Sequence, residues 1–304
     1  MAFLRNGFMD YSNCNLCPRN CKVDRNSSVG FCRETAELRV ARAALHFWEE
    51  PCISGKNGSG TVFFVGCNLR CCYCQNSQIS TGSAGKVISV ERLCEIFLEL
   101  QQKGAENINL VTPTHFVPHI IEAIKLAKVR GLSIPIVYNC GGYESVETLK
   151  LLDGYVDVYL PDFKYYDERF ATKYSSAPSY KEVAEKAIEE MVRQVGKPQF
   201  DGRGMMVKGV IVRHLCLPTL TDDSKRVLKF LHRTFGNDVY ISIMSQYTPT
   251  DFCPCEELQK PLDREDYEDI LEYCAVIGIE QGFTQDEGCA EESFIPPFDL
   301  TGVD

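Results

Sequence analysis

The sequence predicts an α/β fold built as a partial (β/α)6 barrel of parallel strands, with a small cysteine-rich metal-binding module at its amino terminus. Three observations predict it. Short apolar runs of strand length alternate with amphipathic stretches of helix length across most of the chain. Alternation of this kind implies crossover connections and a parallel sheet. The first 50 or so residues, by contrast, carry dense cysteines and little periodicity, as a module stapled by metal does. The division expected is 1–55 for the module and 56–304 for the barrel domain.

The elements follow in order. Gly55-Lys56-Asn57-Gly58-Ser59-Gly60 is a glycine-rich loop. Residues 61–66 form the first strand. Residues 90–103 form a helix, with Ser89 in position to cap it. Residues 107–111 are a strand, and 115–130 a helix stopped by Gly131. Strands at 134–138, 155–160, 206–214 and 239–244 alternate with helices at 145–152, 179–195, 222–235 and 264–278. In open and closed versions of such a sheet alike, ligands sit at the carboxyl ends of the strands.

The chain has 304 residues, 44% of them hydrophobic, enough for a sizeable core. Its net charge of −10 disfavours nucleic acid and anionic membrane as partners. No run approaches the roughly 18 apolar residues of a membrane span. The start, Met1-Ala2-Phe3-Leu4-Arg5-Asn6, lacks the pattern of a secretory signal. A cytoplasmic location is therefore expected. In that setting sixteen cysteines point to metal ligation rather than disulfides.

Directly after the first strand stands Gly66-Cys67-Asn68-Leu69-Arg70-Cys71-Cys72-Tyr73-Cys74-Gln75-Asn76. Cys67, Cys71 and Cys74 follow C-x3-C-x2-C, and cysteine thiolates are the usual iron–sulfur ligands. Cys72 is out of register with them. Structural zinc prefers four closed ligands; three thiolates leave one iron of a [4Fe–4S] cluster open. A second group, Cys14, Cys17, Cys21 and Cys32, supplies four thiolates, suited either to zinc or to an auxiliary iron–sulfur cluster. That closed set is structural or relays electrons. Cys253-Pro254-Cys255 follows the sixth strand and reads as incidental. Cys94 and Cys274 fall on helices as core residues.

The central motif, with Tyr73 in the aromatic slot before its last cysteine, resembles the signature of the radical SAM superfamily. Stretches 14–19, 66–76, 107–115, 162–164, 212–218, 246–249 and 294–299 are similar to the branch around pyruvate formate-lyase activating enzyme, and within it to uncharacterised homologues. The resemblance implies that the open iron takes S-adenosylmethionine, and that one electron splits it to methionine and a 5′-deoxyadenosyl radical. It implies an electron donor such as flavodoxin or ferredoxin, and a protein or peptide substrate such as a glycyl radical enzyme. It also implies roles for individual residues. Tyr73 and Asn76 would line the cofactor beside the cluster. Lys164 of Asp162-Phe163-Lys164 would meet the methionyl carboxylate, with Asp162 beside it. Arg213 at the fifth strand end would join Lys164 as a catalytic cation. Gln246 would contact ribose or carboxylate. The branch's Gly-Gly-Glu is replaced here by Thr112-Pro113-Thr114-His115, so Thr112 and Thr114 would hold the amino group. Its Asp-Thr-Asn-Gly turn is replaced by Asn139-Cys140-Gly141-Gly142, leaving Asn139 as the cofactor contact. His115 would cap a helix or touch substrate. Two other readings stand beside this one: a radical enzyme acting on a small molecule, and a non-catalytic iron–sulfur redox protein.

Overall fold

The computed structural model describes residues 11–285 and 296–304. The Met1–Asn6 start, and Phe294 and Ile295 of the tail, lie outside the described residues. Ten strands and nine α-helices are defined among those described. The strands are β1 (Arg39–His46), β2 (Ser59–Phe64), β3 (Lys86–Val87), β4 (Ile108–Val111), β5 (Ile136–Cys140), β6 (Val158–Pro161), β7 (Gln199–Phe200), β8 (Met206–Leu215), β9 (Tyr240–Met244) and β10 (Gly282–Thr284). The helices are α1 (Pro51–Ser54), α2 (Ser77–Ser80), α3 (Val90–Gln102), α4 (Val117–Val129), α5 (Val146–Leu151), α6 (Glu168–Ser175), α7 (Tyr180–Val195), α8 (Thr221–Phe235) and α9 (Arg264–Ile277).

The sheet runs β10-β9-β8-β6-β5-β4-β2-β1-β3. From β2 to β10 every neighbouring pair is parallel. Over these parallel strands the order follows chain order without reversal, so this part of the sheet is wound in one direction, unlike a doubly wound sheet with its switch point. This is the α/β architecture expected, consistent with a partial barrel. β1 adds antiparallel to β2 and β3 antiparallel to β1, so residues 39–46 of the cysteine-rich segment join the sheet.

Side chains alternate between two faces with a period of two. Val62, Phe64, Ile108, Leu110, Tyr138, Val212 and Ile241 point into the main core against Leu93, Phe97, Ile120, Ile188 and Leu228 of the helices. Each such buried side chain contributes about 1.5–3 kcal/mol. Their sequence neighbours Thr61, Asn109, Asn139, Arg213 and Ser242 face the other side, and all but Arg213 are nearly inaccessible. Near one end of that face, Cys52 and Ile53 of α1 pack on Val137, Val158 and Ile211. The opposite face is therefore polar in its middle and apolar at its floor.

Several details depart from the sequence reading. The first strand ends at Phe64, because Gly66 takes φ +84 and turns the chain. A short 3-10 turn, Thr114–Phe116, precedes α4, whose first turn holds Pro118. β1, α1 and α6 are elements beyond those the sequence predicts. Ser89 does cap α3, accepting from the Arg92 N–H at 3.1 Å, and Gly131 takes φ +101 after α4. Cys94 and Cys274 are buried in the main core. No helix among the described residues is long and apolar enough to cross a membrane.

Candidate functional site

The loop carrying Cys67, Cys71 and Cys74 leaves the carboxyl end of β2. Gly66 makes the turn possible: a Cβ there would stand 2.4 Å from Glu34 Cγ and 2.7 Å from the Cys32 carbonyl oxygen. The loop is pinned from several sides. The Cys67 N–H donates to the Cys32 carbonyl at 3.3 Å. The Arg70 and Cys72 N–H groups donate to the Ser175 and Tyr174 carbonyls at 3.1 and 2.8 Å, at the end of α6. Gln75 reaches across to the Gln246 carbonyl at 3.1 Å.

The thiols have polar company. The Leu69 N–H donates to Cys67 Sγ at 3.3 Å, and Cys71 Sγ lies 3.0 Å from Ser175 Oγ. Burial raises the Cys67 and Cys74 thiols, Cys71 raises them further, and the Lys164 ammonium pulls both back. Among the described residues, the triad does not draw together to within 4.8 Å, the spacing that would suit a single ion. Wide-set thiols of this kind fit the larger iron–sulfur core, whose ligands must lose their protons on binding.

Near the triad lies a charged network on the sheet face opposite the main core. Asp162 accepts from Lys164 Nζ at 2.7 Å and from Arg213 Nε at 3.1 Å. Arg213 also donates to Asn139 Oδ1 at 2.6 Å and to Glu49 Oε2 at 3.1 Å. Glu49 follows β1, whose last residue pairs with Ser59 at the start of β2, so it enters from the amino-terminal end of the parallel strands. There it accepts from Asn109 and Asn139 at 2.9 and 3.2 Å. These charged side chains are only 10–17% exposed, so the pairs act in low dielectric. Burial works against Lys164, but Asp162 and Cys71 more than offset it and hold its pKa well above the ordinary value. Burial also works against Asp162, and its two cations hold it below the usual carboxylate range. Lys164 therefore acts on both the thiol triad and the carboxylate network.

The remaining sequence-derived positions fall as follows. Thr112 follows β4 at φ +57, a strained backbone for a β-branched residue, and its N–H donates to the Asn139 carbonyl at 2.8 Å. Thr114 is buried and its hydroxyl is committed to Glu144 at 2.7 Å. The Tyr73 hydroxyl is committed to Tyr165 at 2.6 Å, and its ring lies edge-on to Tyr247 at 6.0 Å. Asn76 stands at the N-cap of α2 without a side-chain capping bond. The Gln246 side chain meets Gln285 at 2.9 Å. His115 is buried, with Nε2 at 2.6 Å from the Val65 carbonyl, and burial lowers it to about 3.

The amino-terminal thiols gather beside this site. Gly30 makes room for them: a Cβ there would lie 3.3 Å from Cys32 Sγ and 3.7 Å from Cys21 Sγ. Cys14 Sγ lies 3.9 Å from Arg25 Nη1. The Arg25 guanidinium, fully buried, donates to the Glu34, Thr35 and His115 carbonyls at 3.1, 2.5 and 2.7 Å. Arg19 donates to the Asn68 carbonyl at 2.8 Å inside the triad loop. No three of these four thiols close to 4.8 Å either.

Glu49, Glu144, Tyr180 and Arg25 had no sequence signal as site residues. Tyr180 joins the strand-end loops, donating to the Gly141 carbonyl at 2.8 Å and accepting from the Lys164 N–H at 3.0 Å. Each acts only through contacts that the folded chain brings together.

Comparison with known proteins gives the family and the fold. The model of the radical SAM superfamily matches residues 61–231. An uncharacterised protein of Methanocaldococcus jannaschii is 30% identical over 251 residues, covering 79% of this chain and 67% of that protein. The pyruvate formate-lyase-activating enzyme of Clostridium pasteurianum is 29% identical over 189 residues, covering 58% and 69%. Among solved structures, Streptococcus suis SuiB bound to its precursor peptide SuiA superposes with a TM-score of 0.51 at 12% identity, covering 73% of this chain and 47% of that one. The hydrogenase maturase HydG of Carboxydothermus hydrogenoformans does so at 0.51 and 12%, covering 75% and 54%. At such identities the likeness is one of fold, and this chain spans about half the length of those structures. The chain belongs to the radical SAM superfamily.

Proposed function

We propose that this radical SAM protein holds a [4Fe–4S] cluster on Cys67, Cys71 and Cys74 and binds S-adenosylmethionine between that cluster and the strand ends, to begin hydrogen abstraction from a polypeptide. The observation that carries this reading is Lys164, whose ammonium acts on the triad thiols and is held by Asp162. When bound, cluster and S-adenosylmethionine together supply a 5′-deoxyadenosyl radical. The chain's own residues do the rest. Cys67, Cys71 and Cys74 would hold the cluster and leave one of its irons open to S-adenosylmethionine. Lys164 would face the methionyl carboxylate, with Asp162, itself held by Arg213, fixing the position of its ammonium. The strained Thr112 turn and Asn139 present polar groups at neighbouring strand ends, and Gln246 is anchored to the cluster loop through Gln75. Tyr73, bonded to Tyr165, shields the cluster from solvent.

The amino-terminal thiols are better suited to an iron–sulfur cluster than to zinc, since they stand wider than the ligands of one ion. The backbone hydrogen bond between Cys67 and Cys32 favours that cluster as an electron relay from a reductant such as flavodoxin or ferredoxin. Such donors fit a cytoplasmic protein. A polypeptide substrate, with a glycine of a glycyl radical enzyme as the specific reading, is supported by the Clostridium pasteurianum relative. Exposed Phe252, on the rim of the cavity at Cys71, Cys72 and Cys74, offers an apolar contact for such a chain.

Anaerobically reconstituted protein, reduced in the presence of S-adenosylmethionine, should release 5′-deoxyadenosine. Cys67→Ala should abolish release, and Lys164→Met should weaken S-adenosylmethionine binding at least about tenfold. No release from cluster-loaded wild type would sink the assignment.

A further inference from the structure

Three thiols outside both cysteine groups meet in the structure. Cys72 sits inside the triad loop, and Cys253 and Cys255 flank Pro254 after β9. Their Sγ atoms all lie within 4.8 Å of one another, and Cys72 and Cys253 are 3.7 Å apart across 181 residues of chain. Among the described residues, this is the one set of three cysteine, histidine or acidic ligand atoms that draws so close.

The spacing has chemical content. A tetrahedral ion with metal–sulfur bonds of about 2.3 Å places its thiolates about 3.8 Å apart. Cys72 and Cys253 already stand at that edge length, whereas the triad and the amino-terminal four do not close so far. Both arms are also held without help from the thiols. The Cys72 N–H donates to the Tyr174 carbonyl at 2.8 Å, and the Tyr174 hydroxyl donates to Glu257, two residues past Cys255, at 2.7 Å. Gln259 donates to the Cys253 carbonyl at 3.0 Å, and the Tyr247 hydroxyl to the Leu258 carbonyl at 2.5 Å. Cys253 is buried and the other two are half-buried. A site pre-shaped by its surroundings loses little entropy on binding.

We propose that Cys72, Cys253 and Cys255 bind a single thiophilic divalent cation of the zinc type, separate from the cluster on Cys67, Cys71 and Cys74, with water or an exogenous ligand in the fourth position. Binding releases three thiol protons and leaves a site of charge −1, beside the Lys173–Glu257 ion pair. The ion staples the triad loop to the loop after β9, and so fixes one wall of the approach to the cluster. Because it uses other ligands than the catalytic cluster, its loss and the loss of radical chemistry are separable.

The test uses the full chain, reconstituted with iron and sulfide, then exposed to Zn2+ and desalted under anaerobic conditions. Wild type should retain one zinc per chain beyond its iron. Cys253→Ser/Cys255→Ser should keep its iron and lose that zinc. Co2+ in place of zinc should give wild type the sulfur-to-cobalt absorption of a tetrahedral thiolate site, and the variant should lack it. Cys255→Ser alone, at a half-buried position, guards against misfolding: iron should stay, and zinc affinity should fall by more than the roughly 10–100-fold typical of losing a supporting residue. Equal zinc in wild type and variants overturns the proposal. So does reduced wild type that takes up no zinc and, on exposure to air, joins Cys72 to Cys253 or Cys255 as a disulfide.

Discussion

Gly66→Ala tests the join between the two cysteine groups. Gly66 takes φ +84, and an L-residue there costs roughly 1–2 kcal/mol in backbone energy alone. Gly104 takes φ +87, and a Cβ added there would have nothing within 4 Å, so Gly104→Ala carries that backbone cost by itself. At Gly66 the new methyl would also meet Glu34 Cγ at 2.4 Å, the Cys32 carbonyl oxygen at 2.7 Å and His115 Nε2 at 3.2 Å. Ordinary carbon contacts begin at about 3.5 Å. The Glu34 side chain can swing only by loosening its pair with Arg39 at 3.0 Å. The Cys32 carbonyl is backbone and accepts the Cys67 N–H, so relief there pulls Cys67 away from Cys32. Overpacking of this kind adds about 1–3 kcal/mol. Gly66→Ala should therefore lose about 2–5 kcal/mol in denaturant unfolding of the apoprotein, against about 1–2 for Gly104→Ala. It should also bind less iron and sulfide on reconstitution, while Gly104→Ala binds as wild type does. Equal stability losses with full iron in both variants would refute the reasoning.

Arg213→Met strips Asp162 and Glu49 of their shared guanidinium and should cost about 3–5 kcal/mol at neutral pH. That deficit should shrink toward pH 5 as one stranded carboxylate takes a proton; a deficit equal at pH 5 and pH 8 counts against the network. Burial holds Glu144 up at about 7 despite hydrogen bonds from Thr114, Tyr138 and Cys140. Its folded pKa lies above the ordinary 4.5, so its contribution to stability is complete below pH 4.5 and is lost as pH rises through 7, about 3 kcal/mol in all. Glu144→Gln should flatten the urea stability profile between pH 5 and pH 8, and an unchanged slope would exclude Glu144 as its source. Arg25→Met removes one donor from the Glu34, Thr35 and His115 carbonyls, and should speed proteolytic cleavage within residues 14–36 well before the rest of the chain is cut. Cleavage spread evenly along the chain would show that Arg25 does not anchor the module.

Much was legible because the responsible residues are neighbours in sequence. The triad spacing, the parallel order of the strands, the Ser89 cap and the Gly131 stop are all local patterns, and each has its own period or dipeptide signal. Asp162 and Lys164 were legible for the same reason: they flank Phe163 at a strand end and share an ion pair. Other parts left no such trace. β1 does not alternate cleanly, because its register shifts between Val40 and Arg42, and its small and charged residues hide the strand signal. Glu49 and Glu144 look like any surface acid until the sheet closes around them, and burial then makes them partners of Arg213, Asn139 and Thr114. The Cys72, Cys253 and Cys255 group is the plainest case. One thiol reads as out of register and two as incidental, because the set is completed only across 181 residues of chain.

What the sequence alone determined is the family chemistry: a short loop with thiolates at C-x3-C-x2-C can be recognised without a fold, since local spacing sets which thiolates reach one cluster. Only tertiary structure decided which charges surround that loop, that the amino-terminal cysteines touch it through Cys32 and Cys67, and that a third thiol group closes beside it. Contacts made across 90, 164 or 181 residues depend on how sheet and loops pack, and no local period encodes them.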